Sequence, residues 1–363
     1  MNTKFNSQFK IGSHTLNNNG DPYFIADIGA NHDGSLQKAQ DLIHMAAEAG
    51  SHAVKFQHFK ADTIVSKTGF DQLGNKQSHQ SKWKKSVFEV YKGASINLDW
   101  TETLVETCKE ANVEFFTSPY SLELVDFVDH FVPAYKVGSG DITWHEIIDR
   151  MASKNKPILL ACGASTIDEI DSAVRIASKH TKDIAIMQCN TNYTASLDNF
   201  KYINLNVLKT LRAMYPEAVL GLSDHTPGHA TVLGAIALGA NVIEKHFTDS
   251  NENEGPDHKF AMTPSTWREM VDRSNELTLA LGNGVKKVEE NEKETVVVQR
   301  RSIRLRDDVN LKAGDIIGYE DLICLRPCPE DAIAPYDLDC IVGKELSCNV
   351  NGGEYLKWNM LKS

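Results

Sequence analysis

The feature that most constrains this chain is an alternation of short apolar runs with amphipathic segments, repeated about eight times between Tyr23 and Gly282. The apolar runs have the length of β-strands, and the segments between them repeat apolar residues at helical spacing. The first of these predicted helices stops at Gly50, where a helix C-terminus favours glycine. The alternation predicts a (β/α)8 TIM barrel. An open doubly wound sheet is the alternative, because strand order cannot be deduced from one sequence.

Polar side chains stand at the end of nearly every predicted strand. In a barrel the carboxyl ends of the strands form the catalytic face, so these side chains would converge there. Lys55 and Gln57 lie two positions apart on the second strand and would therefore share a face. The polar positions at the strand ends are Asp27, Lys55, Gln57, Thr117, Ser118, Lys136, Ser139, Asp141, Asn190 to Tyr193, Ser223 to His225, and His246.

Two histidines end neighbouring predicted strands. GLSDHTPGH (221–229) places His225 after one apolar run, and VIEKHFT (242–248) places His246 at the end of the next. The segment between them has the length of one packed helix, so the two strand ends would lie side by side. Either histidine alone is more often a satisfied polar residue than a metal ligand. The pair, with GPDH (255–258) just downstream, predicts a divalent metal site.

The charge balance argues against several classes of partner. The chain has 49 acidic and 38 basic residues, a formal net charge of −11, and no long basic run, so nucleic acid and anionic membrane surfaces are poor candidates. No apolar run approaches the length of a membrane span, and the first twelve residues lack the apolar core of a signal peptide. Seven cysteines without a C-x-x-C pair fit reduced thiols. We therefore expect a cytoplasmic protein.

Three segments stand apart from the alternation. A short hairpin is predicted around residues 17–21. A long insert at 58–97 follows the second strand and carries the aromatic-containing WKKSVFEVYKG, which favours a lid or a dimer contact over a spacer. The charged stretch at 283–294 predicts a linker or an exposed helix end between a barrel domain over 1–282 and a small β-rich domain over 295–363.

With these motifs in hand, the chain resembles the sialic acid synthase family, which makes nonulosonic acids such as N-acetylneuraminic, legionaminic and pseudaminic acid. The resemblance implies a TIM barrel followed by an antifreeze-like (SAF) domain. It also implies an enzyme that condenses phosphoenolpyruvate with an open-chain 2-acetamido sugar and releases phosphate, using a divalent cation, Mn²⁺ or Mg²⁺. The shared blocks are FIADIGANHDGSL, AVKFQ, FFTSPY, YKVGSGD, CNTNY, GLSDHTPG, IEKHFT, GPDH, and RRSI with LRP near the C-terminus.

The resemblance further implies roles for individual residues. The metal ligands fall on His225 and His246. The residues that bind phosphoenolpyruvate fall on Lys55, Thr117, Ser118, Lys136, Ser139 and Ser223. The residues that bind the sugar fall on Gln57, Tyr193 and Asp257, with Thr191 where the family has asparagine. Arg326 of the SAF domain would reach the site of the partner subunit in a domain-swapped homodimer.

The chain departs from the family pattern where the sugar would bind. Asp27 and Asp141 stand where the family usually has glutamate, each shorter by one methylene, and CNTNYTAS replaces a CTNxYPTP block. These changes favour an alternative acceptor, a modified hexosamine of the legionaminic or pseudaminic type in place of N-acetylmannosamine. Neutral drift in a tolerant loop is the other explanation.

The implied chemistry needs cations, a Lewis acid and a base. Lys55 and Lys136 would counter the charge of phosphoenolpyruvate, and a cation on two neutral imidazoles would polarise the aldehyde. Asp27 and Asp141 are the candidate bases for the water that adds, with metal-bound water as the competing source. Two rivals remain at this point: an inactive sugar-binding homologue, and another metal-dependent phosphoenolpyruvate aldol synthase, of the deoxy-octulosonate or deoxy-heptulosonate type. The C-terminal domain argues against the second rival.

Overall fold

The computed structural model describes residues 4–18, 20–73, 80, 83 and 85–362. Residue 19, within the predicted hairpin, lies outside this range, as do residues 74–79, 81, 82 and 84 of the predicted insert. The chain divides into two compact units, Met1–Gly282 and Asn283–Ser363. Each unit is described by itself below.

Eight parallel strands form the centre of the first unit, in the order β5-β4-β3-β10-β9-β8-β7-β6. The two end strands, β5 and β6, contact each other, so the sheet is a nearly closed barrel. The TIM-barrel prediction is confirmed and the open-sheet alternative is wrong. The strands are β1 Gln8–Ile11, β2 His14–Asn17, β3 Tyr23–Asp27, β4 Ala53–His58, β5 Glu114–Pro119, β6 Tyr135–Val137, β7 Ile158–Ala161, β8 Ile184–Cys189, β9 Val219–Asp224 and β10 Ala240–His246.

Helices connect the barrel strands and pack around them. In the described residues of the insert after β4, three short α-helices precede the helix that leads to β5. The helices of this unit are α1 Leu36–Glu48, α2 Ala61–Ile64, α3 Lys67–Leu73, α4 Val87–Ala94, α5 Thr101–Glu110, α6 Leu122–Val128, α7 His145–Ala152, α8 Ile167–Ala177, α9 Val207–Met214, α10 Ala230–Ala237 and α11 Pro264–Leu281.

Successive residues of each barrel strand point alternately to the barrel interior and to the helices. On β10, Val242 belongs to the interior core, whereas Ile243 packs in the layer between the strands and the helices. Glu244 and His246 line the cavity inside the barrel, and Lys245 between them reaches the outer layer. The period of two therefore decides which polar side chains of a strand can meet a ligand.

A hairpin of β1 and β2 covers the amino-terminal end of the barrel. The turn consists of Gly12, which has a positive φ of 56°, and the residue after it. The predicted hairpin at 17–21 is therefore wrong, because the observed turn precedes β2 and the predicted one follows it. Phe9, Ile11 and Leu16 of the hairpin join the interior core of the barrel. Hydrogen bonds from the hairpin segment to Glu114 and to the carbonyl of residue 217 fix it across the strand ends.

The second unit has its own small core around an antiparallel pair, β11 Ser302–Leu305 and β12 Leu322–Leu325. Its helices are α12 Lys293–Gln299 and α13 Leu338–Ile341. Helix α12 begins inside the segment predicted as a linker, as the helix-end alternative allows. Across the part of the chain that the structure describes, no helix combines the length and apolarity needed to cross a membrane.

Candidate active site

A cavity of about 340 Å³ opens at the carboxyl ends of the barrel strands. This volume is within the range of small-molecule sites. The cavity lies where the predicted polar strand ends converge. The predicted site residues that line it are Asp27, Lys55, Gln57, Ser118, Lys136, Ser139, Asp141, Tyr193, Ser223, His225, His246 and Asp257.

Two buried lysines and two buried carboxylates form the charged floor of the cavity. Lys55 Nζ lies 2.6 Å from Asp27 Oδ2, its neighbour in strand register, and Lys136 Nζ lies 3.2 Å from Glu244 Oε1. Glu244 Oε1 also lies 3.7 Å from Lys55 Nζ, so one carboxylate connects both lysines. Burial opposes the charge of Lys55, but Asp27 and Glu244 raise its pKa above the ordinary value. Lys55 is therefore held as a cation inside the barrel.

Several buried oxygen atoms of this floor have no hydrogen-bond partner among the described residues. They are Asp27 Oδ1, Glu244 Oε2 and Ser118 Oγ. A buried polar atom left unpaired costs about 1–3 kcal/mol, so natural proteins seldom keep one without a reason. Polar atoms of a bound ligand or water would satisfy them. The floor is thus built to receive a polar group.

His225 and His246 face the same cavity with their ring centroids 5.4 Å apart. His225 Nδ1 donates a hydrogen bond to the Asn190 carbonyl at 2.9 Å, which leaves the lone pair of Nε2 free to act as a ligand. Burial lowers the pKa of both rings, and for His225 burial and the nearby His246 bring the pKa to about 4. Both imidazoles are therefore neutral at physiological pH, the form that binds metal.

The residues present fit a divalent cation. His246 Nδ1 is buried, has no hydrogen-bond partner within the described part of the chain, and lies 3.7 Å from Asp257 Oδ2. Among the described residues, no group of three or more His, Cys, Asp or Glu side chains is arranged to hold a metal ion. The available ligands are thus two imidazoles with a carboxylate close by. Mg²⁺ prefers oxygen ligands. A first-row transition-metal ion such as Mn²⁺ accepts a mixed set of nitrogen and oxygen donors, so the two imidazoles favour Mn²⁺ of the two expected cations.

Gly29 allows three site residues to approach the backbone closely. Its φ is 52°, and a Cβ there would lie 2.9 Å from Asp257 Oδ2, 3.2 Å from Gln57 Nε2 and 3.4 Å from His246 Cε1. Any side chain would therefore push these groups apart, in addition to the strain of a left-handed backbone. The glycine of the ADIG block is required by this packing.

Asp141 ends a short 3₁₀ helix, Ser139–Asp141, that follows β6. Burial raises the pKa of Asp141 to about 6. A carboxyl group that titrates near neutral pH can both accept and return a proton. Ser139 Oγ, at the start of the same helix, accepts a hydrogen bond from the Gly163 amide at 3.0 Å, which fixes this loop against the end of β7.

Two predicted site residues of the first unit do not line the cavity, and a third, Arg326, belongs to the second unit. Thr117 is adjacent to Ser118 on β5 and so points to the opposite face, where its hydroxyl lies 2.7 Å from His58 Nδ1. Thr191 does not line the cavity, and its methyl group lies beside the Cα of Gly163. Arg326 is exposed and belongs to the second unit, just after β12, so its predicted role at a partner subunit stays a prediction.

Glu244 and the apolar residues that line the cavity were not predicted from the sequence. Glu244 is two positions before His246 on β10, so the period-two rule that placed Lys55 with Gln57 would also have placed it in the cavity. The aromatic and aliphatic lining comes mostly from the insert, for which no strand pattern gives a position. The aromatic and aliphatic residues of this lining are Phe59, Ile64, Trp83, Val90, Tyr91, Ala94 and Tyr120, and the polar Gln80 lies beside them.

Comparison with known proteins agrees with this architecture. Residues 42–286 match the NeuB family and residues 308–362 match the SAF domain. The N,N'-diacetyllegionaminic acid synthase of Legionella pneumophila is 33% identical over 94% of this chain and 95% of its own length. The pseudaminic acid synthase of Campylobacter jejuni is 28% identical over 92% of this chain and 95% of its own length.

A solved structure shows the same fold. It is the N-acetylneuraminic acid synthetase of Leptospira borgpetersenii in complex with citrate, which aligns with a TM-score of 0.70 at 24% identity over 81% of this chain and 96% of that one. At this identity the likeness speaks for the fold alone. From the matched family model and the relatives together, the chain belongs to the NeuB family and carries a SAF domain C-terminal to its barrel.

Proposed function

We propose that this protein is a nonulosonic acid synthase, which condenses phosphoenolpyruvate with an open-chain 2-acetamido sugar and releases phosphate. The observation that carries the proposal is the pair of buried lysines, Lys55 and Lys136, at the floor of a cavity that also bears His225 and His246. The legionaminic and pseudaminic acid synthases among the relatives support the same reaction class.

Charge balance supports a metal requirement. Lys55 and Lys136 each already lie beside a carboxylate, so a trianionic phosphoenolpyruvate would meet little unopposed positive charge. His225 and His246 are the residues that would hold a divalent cation, Mn²⁺ or Mg²⁺. Such a cation supplies two positive charges and Lewis-acid polarisation of the sugar aldehyde.

The bond changes of the reaction require a proton acceptor and correctly placed binding groups, and two carboxylates of the cavity can meet these needs. C3 of phosphoenolpyruvate forms a bond to the aldehyde carbon, whose oxygen becomes a hydroxyl; water then adds at C2, and the C2–O bond to phosphate breaks to leave a ketone. The added water loses two protons in all: one ends on the former aldehyde oxygen, and the other leaves with phosphate as the ketone forms. A base must take the first proton as the water adds. Asp141, with its pKa near 6, is suited to accept that proton. Asp27 contacts both Lys55 and Gln57 and positions them.

The acceptor side of the cavity is formed by Gln57, Tyr193 and Asp257. The Tyr193 ring lies 4.3 Å from the His225 ring, and the Ala30 amide donates to Asp257 Oδ2 at 3.3 Å. The resemblance adds that Arg326 contributes to the acceptor site of the partner subunit in a domain-swapped homodimer.

The test of the proposed function is phosphate release from phosphoenolpyruvate that depends on an added 2-acetamido sugar. Chelator treatment should abolish release, and Mn²⁺ or Mg²⁺ should restore it. His225→Ala and His246→Ala should lose turnover while keeping the thermal unfolding profile. Sugar binding without phosphate release would favour an inactive binding protein. Release with a phosphorylated aldose that lacks an acetamido group would favour the other aldol synthases.

Mixed dimers test the role of Arg326. Arg326→Ala and His246→Ala chains should each be inactive, because one lacks the acceptor contact and the other a metal ligand. After subunit exchange, one site of each mixed dimer would contain both intact residues, so activity should return to part of the wild-type value. Exchange that is verified by a tag without any return of activity would contradict the swapped arrangement.

A further inference from the structure

Helix α4 turns an apolar stripe toward the cavity. Val87, Val90, Tyr91 and Ala94 recur at i, i+3, i+4 and i+7, the spacing of one helix face. In most surface helices such a stripe packs into a protein core. Here Val87 is buried, whereas the other three residues are partly exposed and line the cavity. The stripe therefore faces the space that a ligand would fill.

Helix α4 has a defined start and packs against neighbouring elements of the insert. Its first turn is closed by a capping box between Ser86 and Glu89. The Tyr91 ring lies 5.5 Å from the buried Phe59 ring, and Ile64 of α2 continues the same lining. We call Phe59, Ile64, Val90, Tyr91 and Ala94 the apolar wall. It is a preformed surface.

The apolar wall and the charged floor suit different ligands. Phosphoenolpyruvate has a phosphate, a carboxylate and only a small vinyl group, so the lysine floor accounts for nearly all of it. The acceptor is left to cover the apolar wall. A hydroxyl group pressed against aliphatic side chains loses its water and gains no partner, whereas a methyl group gains from burial.

We infer that the apolar wall selects acceptors that carry methyl groups beyond that of the 2-acetamido group, as a second N-acyl methyl or as a deoxy carbon at the end of the sugar, over N-acetylmannosamine, which keeps its other hydroxyls. The inference rests on the proposed function and adds the structural element that sets acceptor choice. Val90 and Ala94 are specificity-determining residues, since they offer only apolar surface to the acceptor.

The test compares N-acetylmannosamine, its 6-deoxy analogue and a 2,4-diacetamido-6-deoxy hexose in the metal-loaded full-length protein. Val90→Thr keeps the shape of the side chain and adds a hydroxyl to the wall. The ratio of kcat/KM for the deoxy acceptors to that for N-acetylmannosamine should fall about tenfold, because one group in an apolar pocket is worth roughly that factor. The KM for phosphoenolpyruvate should change by less than about twofold, because the wall does not meet it.

Lys92→Thr is the matched control, since it places the same side chain on the exposed face of the same helix. It should leave the acceptor ratio at the wild-type value. Ala94→Ser is the second variant if Val90→Thr does not fold, and the ratio should fall in it as well.

The outcomes separate the two proposals. Wild-type preference for N-acetylmannosamine, or the same acceptor ratio in Val90→Thr, Ala94→Ser and Lys92→Thr, would overturn the inference while phosphate release still upheld the synthase. No phosphate release with any of the three acceptors would overturn the proposed function, and the inference with it.

Discussion

Two buried lysine–carboxylate pairs lie on opposite faces of the same barrel, and they differ in how completely they are satisfied. Outside the strands, Lys245 pairs with Asp224, and the Asp224 carboxylate also accepts from Thr226 Oγ1 and Thr231 Oγ1, each at 2.7 Å. Lys245 donates in addition to the Thr226 carbonyl at 2.6 Å. Inside the strands, Lys55 pairs with Asp27, whose other oxygen has no partner among the described residues.

Both pairs are buried, so burial does not distinguish a structural ion pair from a functional one; the number of satisfied hydrogen-bonding atoms does. Burial opposes the charge of Asp224, but Lys245 and the two threonine hydroxyls lower its pKa below the ordinary value. Both carboxylate oxygens of Asp224 accept hydrogen bonds within the fold. In the inner floor, Asp27 Oδ1 and Glu244 Oε2 have no hydrogen-bond partner among the described residues, and both side chains line the cavity.

Replacing Lys245 tests whether the outer pair is structural, and it should lower the unfolding free energy more than any other change considered below. Lys245→Met leaves Asp224 charged and unpaired in the layer between strands and helices, at a cost of about 3–5 kcal/mol of unfolding free energy. Urea denaturation gives this value. The double variant Asp224→Asn with Lys245→Met is the control and should recover part of the loss, because no charge is then buried alone. An unchanged midpoint for Lys245→Met would show that the pair is not structural.

Removing an inner lysine should give the converse result. Lys136→Met takes away a charge at the floor and should lower kcat/KM for phosphoenolpyruvate by about a hundred- to thousandfold, as for loss of one preorganised electrostatic contact. The unfolding free energy should change by less than about 1 kcal/mol, because Glu244 borders a cavity that water can enter. Lys60→Met, at a half-exposed lysine, is the control. A large loss of stability with intact turnover would make the inner pair structural too.

Asp141 should give the smallest effect, through pH. Its folded-state pKa of about 6 lies above the value near 3.9 of an unfolded chain, so the folded protein binds the extra proton between these values and loses stability as pH rises through them. Asp141→Asn should therefore gain about 1–2 kcal/mol at about pH 8 and nothing below about pH 4, a gain below the full shift because the side chain borders water. Urea titrations at the two pH values measure it. Equal gains at both would mean that the effect is not ionisation.

Period two accounts for both the success and the failure of sequence prediction at the site. It correctly placed Lys55 and Gln57 together in the cavity. Thr117 was placed with Ser118 because both are polar residues at a strand end and the resemblance gives both a role, although neighbours on a strand cannot face the same side. Glu244 could have been found by the same rule, as an acidic residue two positions from a cavity histidine inside an apolar strand.

The apolar wall could not be predicted, for a different reason. Strand ends are located by the barrel itself, whereas α4 lies within an insert whose position depends on tertiary contacts such as that between Phe59 and Tyr91. The sequence at 87–94 shows that a helix has an apolar face, and it does not show what that face meets. The hairpin was misplaced because the polar run at 17–21 offers turn residues as good as those at Gly12.

The β1–β2 hairpin has a consequence for the order of events in the barrel. Because Phe9, Ile11 and Leu16 plug the amino-terminal end, the cavity that the described residues form opens at the carboxyl ends of the strands, and the lysine floor lies deeper in it than Gln57, two residues further along β4. Whatever docks on the floor must enter first and leave last. A second molecule bound nearer the opening of the cavity would block the dissociation of the molecule bound at the floor. We therefore expect an unreactive acceptor mimic to trap phosphoenolpyruvate in place, so that its inhibition deepens as phosphoenolpyruvate is raised instead of being relieved.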